Sequence, residues 1–320
     1  MKKNVLKSFV LASVILASCA SAPKGIKKNN EEKITEQIEK AVGIAKADSE
    51  ETVFIKSLEN VSFKLLSAPK FTTVGLAFKT AYSVSVSEKD GKTLAGFPVT
   101  VSFPAEKSDG KIIFATKNLT TDENGVCTFL PEKPAFACNA KIAFYPTPAF
   151  DSEAVLDAAK SKDVEADFKV RSDISQKGAV LFVWEFNERN RPTRNSYDVL
   201  SKLKGYGIWN VGNAPVNEPS DIGKSLQTLY RENYEIIEDS YGYLICGTIK
   251  FLKPVEPLEG GNGYSCTLVA DISAINMKNG KVIYHQTDEQ YSEVASWNNV
   301  YETCKGKLAD KITEGLIYGL

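Results

Sequence analysis

The chain has 320 residues, 43% hydrophobic and 25% charged, with 39 Lys and Arg against 40 Asp and Glu. That is enough apolar material for about two folded cores, and a near-neutral balance with no basic domain argues against nucleic acid as a partner. A single histidine and six cysteines with no C-x-x-C spacing argue against a zinc centre or a two-histidine metal site.

Three lysines within residues 1–7 precede an apolar run of about ten residues, Ser8 to Ala17, the length of an export signal and too short to span a bilayer. The following Leu16-Ala17-Ser18-Cys19 resembles the bacterial lipobox. That resemblance implies cleavage before Cys19, lipidation of its sulfur, and a membrane anchor of several acyl chains. Ala20 after it implies sorting to the outer membrane, facing the periplasm, with surface exposure left open. Removal of residues 1–18 takes three basic and no acidic residues, leaving 302 residues with a net charge of −4. Residues 19–50 read as a polar tether followed by a helix, with Ile34, Ile38, Ala41, Val42 and Ala45 on one face.

Residues 51–175 read as a β-sandwich. Tyr82, Val84 and Val86, then Phe97, Val99, Val101 and Phe103, alternate on either side of a turn signal at Asp90-Gly91. Short strands recur beyond them at the spacing of a sandwich. Asp122 and Asn124-Gly125 predict a turn that needs a positive φ. "DGKTLAGFPVTVSF" and "TTDENGVCTFLP" together resemble bacterial immunoglobulin-like modules of the Big-1 and transthyretin-like kind, which implies an Ig-like fold. A hairpin through residues 130–136 would set Cys127 opposite Cys138.

Residues 176–320 read as an α/β sandwich with a mostly antiparallel sheet, so the whole chain is α+β. "GAVLFVWEF" is a strand buried on both faces. A polar insertion, a helix from Pro219-Ser220-Asp221, four further strands beginning at "YEIIED", and a long C-terminal helix follow, with both helices expected on one face. The last helix places Trp297, Val300, Tyr301, Cys304, Leu308 and Ile312 on one stripe. Cys246 and Cys266 are nearly symmetric about a hairpin loop and are candidates for a bridge, although buried reduced thiols are the competing reading for all four paired candidates. The order of "VLFVWEFNE", "YEIIED", "YLICGTIKF" and "ADISAINMKNGKVIYHQTDE" resembles the periplasmic domain shared by the CsgG, LpoB and TolB amino-terminal families. The longer segment 187–219 departs from that pattern.

The glycines of "GYGIWNVG" and "EGGNGY" do not make a phosphate cradle, and no cofactor is expected. Glu185, Glu188 and Asp198 have no spacing that specifies paired carboxylates for glycoside cleavage. His285, in a strand-like stretch, is read as structural, and a Ser-His-Asp or Cys-His nucleophile would depend on it alone. The candidate site is Asn187, Arg189, Arg191 and Arg194 at the exit of the first strand of the second domain, an array suited to a carboxylate or phosphate, with Trp209 in the neighbouring aromatic loop. The resemblance implies a non-enzymatic binding or scaffolding lipoprotein of an envelope assembly, such as a cell-wall synthase, flagellar or secretion complex, with an envelope protein or peptidoglycan as partner. The alternatives are a CsgG-like homo-oligomeric pore and, less favoured, an envelope hydrolase.

Overall fold

The computed structural model describes residues 50–108 and 110–320. The expected signal peptide, Cys19, and the tether and helix beyond it lie outside the described residues.

The first half of the described chain runs α1 (Glu50–Leu58), β1 (Val61–Ser67), β2 (Thr72–Thr73), β3 (Tyr82–Glu88), β4 (Pro98–Ser108), β5 (Lys111–Thr120), β6 (Val126–Phe129), β7 (Cys138–Pro146), α2 (Glu153–Lys160) and β8 (Val164–Arg171). Its strands form a three-stranded sheet, β1-β3-β6, and a five-stranded sheet, β2-β8-β7-β4-β5. One apolar core joins them: Tyr82, Val84 and Val86 come from the first sheet, and Val99, Val101, Ile142, Phe144 and Phe168 from the second. The alternating runs on β3 and β4 therefore do not pair with each other. They belong to different sheets: the Asp90-Gly91 turn folds the chain back onto β3, where Thr93 bridges Ser87 and the Leu94 N–H donates to Val86 O, and the chain crosses to the other layer between Leu94 and Pro98. The second turn forms as its residues demand: Gly125 has φ +71°, and Asp122 Oδ1 accepts the backbone N–H groups of Asn124 and Val126.

The second half continues with α3 (Ile174–Lys177), β9 (Ala179–Phe186), β10 (Pro192–Asn195), α4 (Tyr197–Gly205), β11 (Val211–Asn213), a 3₁₀ turn (Pro219–Asp221), α5 (Leu226–Ile237), β12 (Tyr243–Pro257), β13 (Tyr264–Asn276), β14 (Val282–Val294) and α6 (Trp297–Gly319). The sheet order is β10-β9-β12-β13-β14, with β11 also on β9. β9 pairs parallel with β12 and β11, and the other three pairings are antiparallel. Every residue of β9 is buried because each of its faces has a core. Ala179, Leu181 and Val183 pack with α4 and α6, whereas Val180, Phe182, Trp184 and Phe186 pack with α5. Full burial of each such side chain is worth about 1.5–3 kcal/mol.

Three expectations are corrected here. "YEIIED" is not a strand: Tyr234–Ile237 complete α5, whose Leu226, Leu229 and Tyr230 face the sheet. The two helices expected on one face lie on opposite faces, and it is α4, from the insertion, that packs beside α6. The cysteine pairs do not form, since all five described cysteines are free and buried. β6 and β7 lie in different sheets rather than in a hairpin, so Cys127 stands opposite Val84 and Cys138 opposite Val170. The β12–β13 hairpin folds between Pro257 and Tyr264, beyond the midpoint of the two cysteines, so Cys246 faces Ser273 rather than Cys266.

The two halves meet at the C-terminus of α6, where a helix has carbonyls without intrahelical partners. The Ser172 N–H donates to Ile317 O (2.6 Å), Ser172 Oγ to Leu316 O (2.9 Å) and Lys107 Nζ to Gly319 O (2.8 Å). The lysine also complements the negative end of the helix dipole. Arg171 lies 3.8 Å above the Phe71 ring and donates to Tyr206 O.

Candidate binding cleft at the end of the central strand

β9 ends in a tight turn built by Asn187. Its Oδ1 accepts the backbone N–H groups of Arg189 and Arg191, both at 3.0 Å, and Asn190 takes φ +55°. The Asn187 side-chain oxygen is thus engaged by the turn, while the side chains of Arg189 and Arg191 project into solvent. Neither guanidinium has a carboxylate partner among the described residues. Glu188 Oε1 accepts the N–H of Val255 (3.1 Å), which ties the turn to the distal part of β12.

Beside this turn lies a cleft of about 470 Å³. Phe251 and Val255 of β12, Thr193 of β10, and Trp297 and Tyr301 of α6 line it together with Arg189. Tyr301 stacks on Phe251 with ring centres 5.2 Å apart. Trp297, one helical turn earlier on the same face, is 56% exposed.

Beneath the cleft is a buried charge cluster. Lys305 of α6 places Nζ 3.0 Å from Asp198 Oδ2 of α4, 3.1 Å from Glu302 Oε2 and 3.7 Å from Glu185 Oε2 of β9. The Tyr301 hydroxyl lies 3.5 Å from the same Glu185 oxygen. Burial raises the Glu185 carboxyl above its ordinary range, with the Asp198 charge adding to the rise and Lys305 and Arg194 opposing it. Burial alone would lower Lys305, but the surrounding carboxylates outweigh it and hold the ammonium charged. Arg194 stands opposite Glu185 in the β9–β10 register.

The predicted residues therefore divide. Asn187 and Arg189 line the cleft, Arg191 sits on the same turn, and Arg194 acts on the buried carboxylate. Trp209 is 74% exposed but lies elsewhere. It precedes β11, which pairs with the start of β9 (Val211 with Ala179), roughly 25 Å from Asn187 at about 3.3 Å per strand residue. The expectation that it adjoins the arginines is corrected. Among the carboxylates considered for glycoside cleavage, Glu188 is tied to β12, and Glu185 and Asp198 both face Lys305.

His285 lies on the α5 side of the sheet. Its Nδ1 is 3.1 Å from Ser273 Oγ and 3.6 Å from Asp271 Oδ1. Both neighbours face the same ring nitrogen, so the imidazole does not bridge hydroxyl and carboxylate as a proton relay requires. Among the described residues no group of three or more His, Cys, Asp or Glu gathers as a metal site.

Sequence reasoning missed Phe251, Val255 and Lys305, and took Trp297 and Tyr301 only as members of a core stripe. One signal was present. Glu185 is a lone acid in an otherwise apolar buried strand, and Lys305 falls on the apolar stripe of the last helix, so each needs a buried counter-charge.

Residues 178–317 match the family model described as TP0693-like lipoprotein, C-terminal domain. The match supports a bacterial lipoprotein, a class of membrane-anchored envelope protein. Among solved structures, the chain is similar to the PelC dodecamer from Paraburkholderia phytofirmans, with 15% identity, 40% of this chain and 81% of that one covered, and a TM-score of 0.26. It is similar to lipoprotein GNA1162 from Neisseria meningitidis (12% identity, 41% and 98% covered, TM-score 0.25) and to the hypothetical protein CT253 from Chlamydia trachomatis (11% identity, 44% and 93% covered, TM-score 0.28). Such TM-scores are too low to bear on function. No match was found among curated protein sequences.

Proposed function

We propose that the protein is a lipid-anchored lipoprotein of the outer membrane, facing the periplasm, that serves as a non-catalytic binding or scaffolding component of an envelope assembly and engages its partner at the cleft beside the β9–β10 turn. The lipobox-like Leu16-Ala17-Ser18-Cys19, the lipoprotein family match, and the Big-1-like and CsgG/LpoB-like patterns support the class. The observation that carries the site is the exposed Trp297 lining one cleft with Arg189. Trp and Arg are the residues that most often dominate binding energy, and an apolar floor whose polar rim carries Arg189, Glu188 and Asn298 suits an apolar group next to a carboxylate placed at the Arg189 side, as on an envelope protein or a peptidoglycan peptide. Cross-linking in intact cells followed by affinity capture tests this. Capture of a specific cell-wall, motility or secretion component, lost with Cys19→Ala and with Trp297→Ala plus Arg189→Ala, is expected. Capture unaffected by the cleft substitutions would move the interface elsewhere.

A homo-oligomer is a second reading, favoured by opposite charges on the two edges of one sheet. Arg189, Arg191 and Arg194 lie at the β10 edge, and Glu289 and Glu293 are exposed on β14. Head-to-tail association would join these edges, and light scattering of the protein with Glu289→Lys and Glu293→Lys would show loss of the larger species.

A further inference from the structure

Cys266 and Cys304 meet where α6 crosses β13. The two thiols are 1% and 0% exposed. Cys266 Sγ lies 3.7 Å from the carbonyl oxygen of Val300, one turn before Cys304 on the helix, and Cys304 Sγ lies 3.8 Å from the carbonyl oxygen of Cys266. Each sulfur therefore touches the backbone of the element that carries the other. The two side chains also interact directly, and Cys304 Sγ lies 3.0 Å from the carbonyl oxygen of Gln290 on β14; closing a disulfide needs Cβ atoms about 3.5–4.5 Å apart. In the same domain Cys246 lies on the opposite face of the sheet, in the core beneath α5, and does not compete for either thiol.

We infer that Cys266 and Cys304 form a redox pair that closes to an intrachain disulfide when the chain folds in the presence of a disulfide-bearing thiol oxidant. One thiolate attacks the oxidant, forming a mixed disulfide and expelling one thiolate. The second cysteine, as thiolate, then attacks the mixed disulfide at the protein sulfur and expels the other. The protein thiols lose two electrons and two protons in all, and the oxidant is reduced to two thiols. Burial pushes the Cys266 thiol up to about 12, and the adjacent Cys304 thiol adds to the rise. Thiolate is therefore scarce in the folded state, which assigns closure to the folding chain, when both sulfurs are open to the oxidant. The two cysteines are 38 residues apart, so the bond constrains the unfolded chain and pins to β13 the part of α6 that carries Tyr301 and Trp297. The cleft wall of the proposed function is thereby fixed. Only the supply of oxidant in the cell rests on the export reading.

The test is refolding of the full chain carrying Cys19→Ser in a glutathione redox buffer, followed by alkylation under denaturing conditions and mass spectrometry of an unreduced tryptic digest. Peptides 251–278 and 282–305 are expected to be linked, with the other three described cysteines alkylated. The oxidised form should unfold at higher urea than the reduced form. Cys304→Ala abolishes the link. Should that variant fail to fold, Cys246→Ala serves instead, because it must keep the link. Alkylation of all five thiols after oxidative refolding, or a link that uses Cys246, overturns the inference. The thiol state trapped from intact cells reports separately on export.

Discussion

Lys305 and Glu185 are both about 1% exposed and their charged atoms stand 3.7 Å apart, so the last helix and the central strand are joined by charge in the interior of an otherwise apolar layer. Lys305→Met leaves Glu185 and Asp198 without their cation and is expected to cost about 3–5 kcal/mol in urea unfolding. Adding Glu185→Leu should recover part of that loss, because a buried pair replaced by apolar groups is less costly than a pair broken on one side. A double variant destabilised by the sum of Lys305→Met and Glu185→Leu measured separately would show that the two residues are not coupled.

The pH dependence has two opposing parts. The carboxyl of Asp167 is held down to about 2 by hydrogen bonds from Lys141 and Lys169. Its contribution is present above the ordinary value of 3.8 and is lost as pH falls through about 2. Exposure and solvent screening limit it to at most about 1 kcal/mol. Glu185 has the reverse sign. Its raised pKa makes its contribution full below 4.5 and lost as pH rises through the folded value. Stability measured against pH should therefore show a smaller acid-side drop in Asp167→Asn, with Asp221, lowered by Lys224, keeping its share, whereas Glu185→Gln should gain relative to wild type as pH rises.

At the turn after β5, Gly125 has φ +71°, and a Cβ added there would stand 2.8 Å from Val86 O. Gly125→Ala is expected to cost about 1–3 kcal/mol. Thermal unfolding checks this, and a loss below a few tenths would mean that the turn relaxes freely.

The contact between the two halves rests on the carbonyls at the end of α6. Ser172→Ala removes the donor to Leu316 O, and Lys107→Met removes the donor to Gly319 O. Each should cost about 1 kcal/mol and speed amide exchange in the last turn of α6, with little change in exchange at the cleft.

Much of the local structure was legible in the residues. The apolar run of β9 marked a strand buried on both faces, and the alternation of β3 named its core residues. The stripe on α6 was readable for the same reason, since burial imposes a period that belongs to the element itself. α4 was not legible. Its short apolar pattern, Val199 and Leu203, sits in a polar insertion and gains meaning only against α6. Tyr234–Ile237 resembled a strand because four residues carry too little period to separate a helix end from a short strand.

The cleft shows the same limit. Asn187 and Arg189 were within reach of sequence reasoning because the end of a buried strand must be a turn. Phe251, Trp297 and Tyr301 reach that turn from about 60 and 110 residues away along the chain, and no local period encodes such a meeting.

The sequence by itself determined two successive cores and the turns that only glycine or asparagine accept, because each depends on neighbours a few residues away. The tertiary structure alone decided which helix covers which face, that Cys266 meets Cys304 rather than Cys246, and that Lys305 answers Glu185. Side-chain period states that a residue is buried. Its partner is chosen by sheet register and helix packing, which sum over contacts between segments distant in the chain.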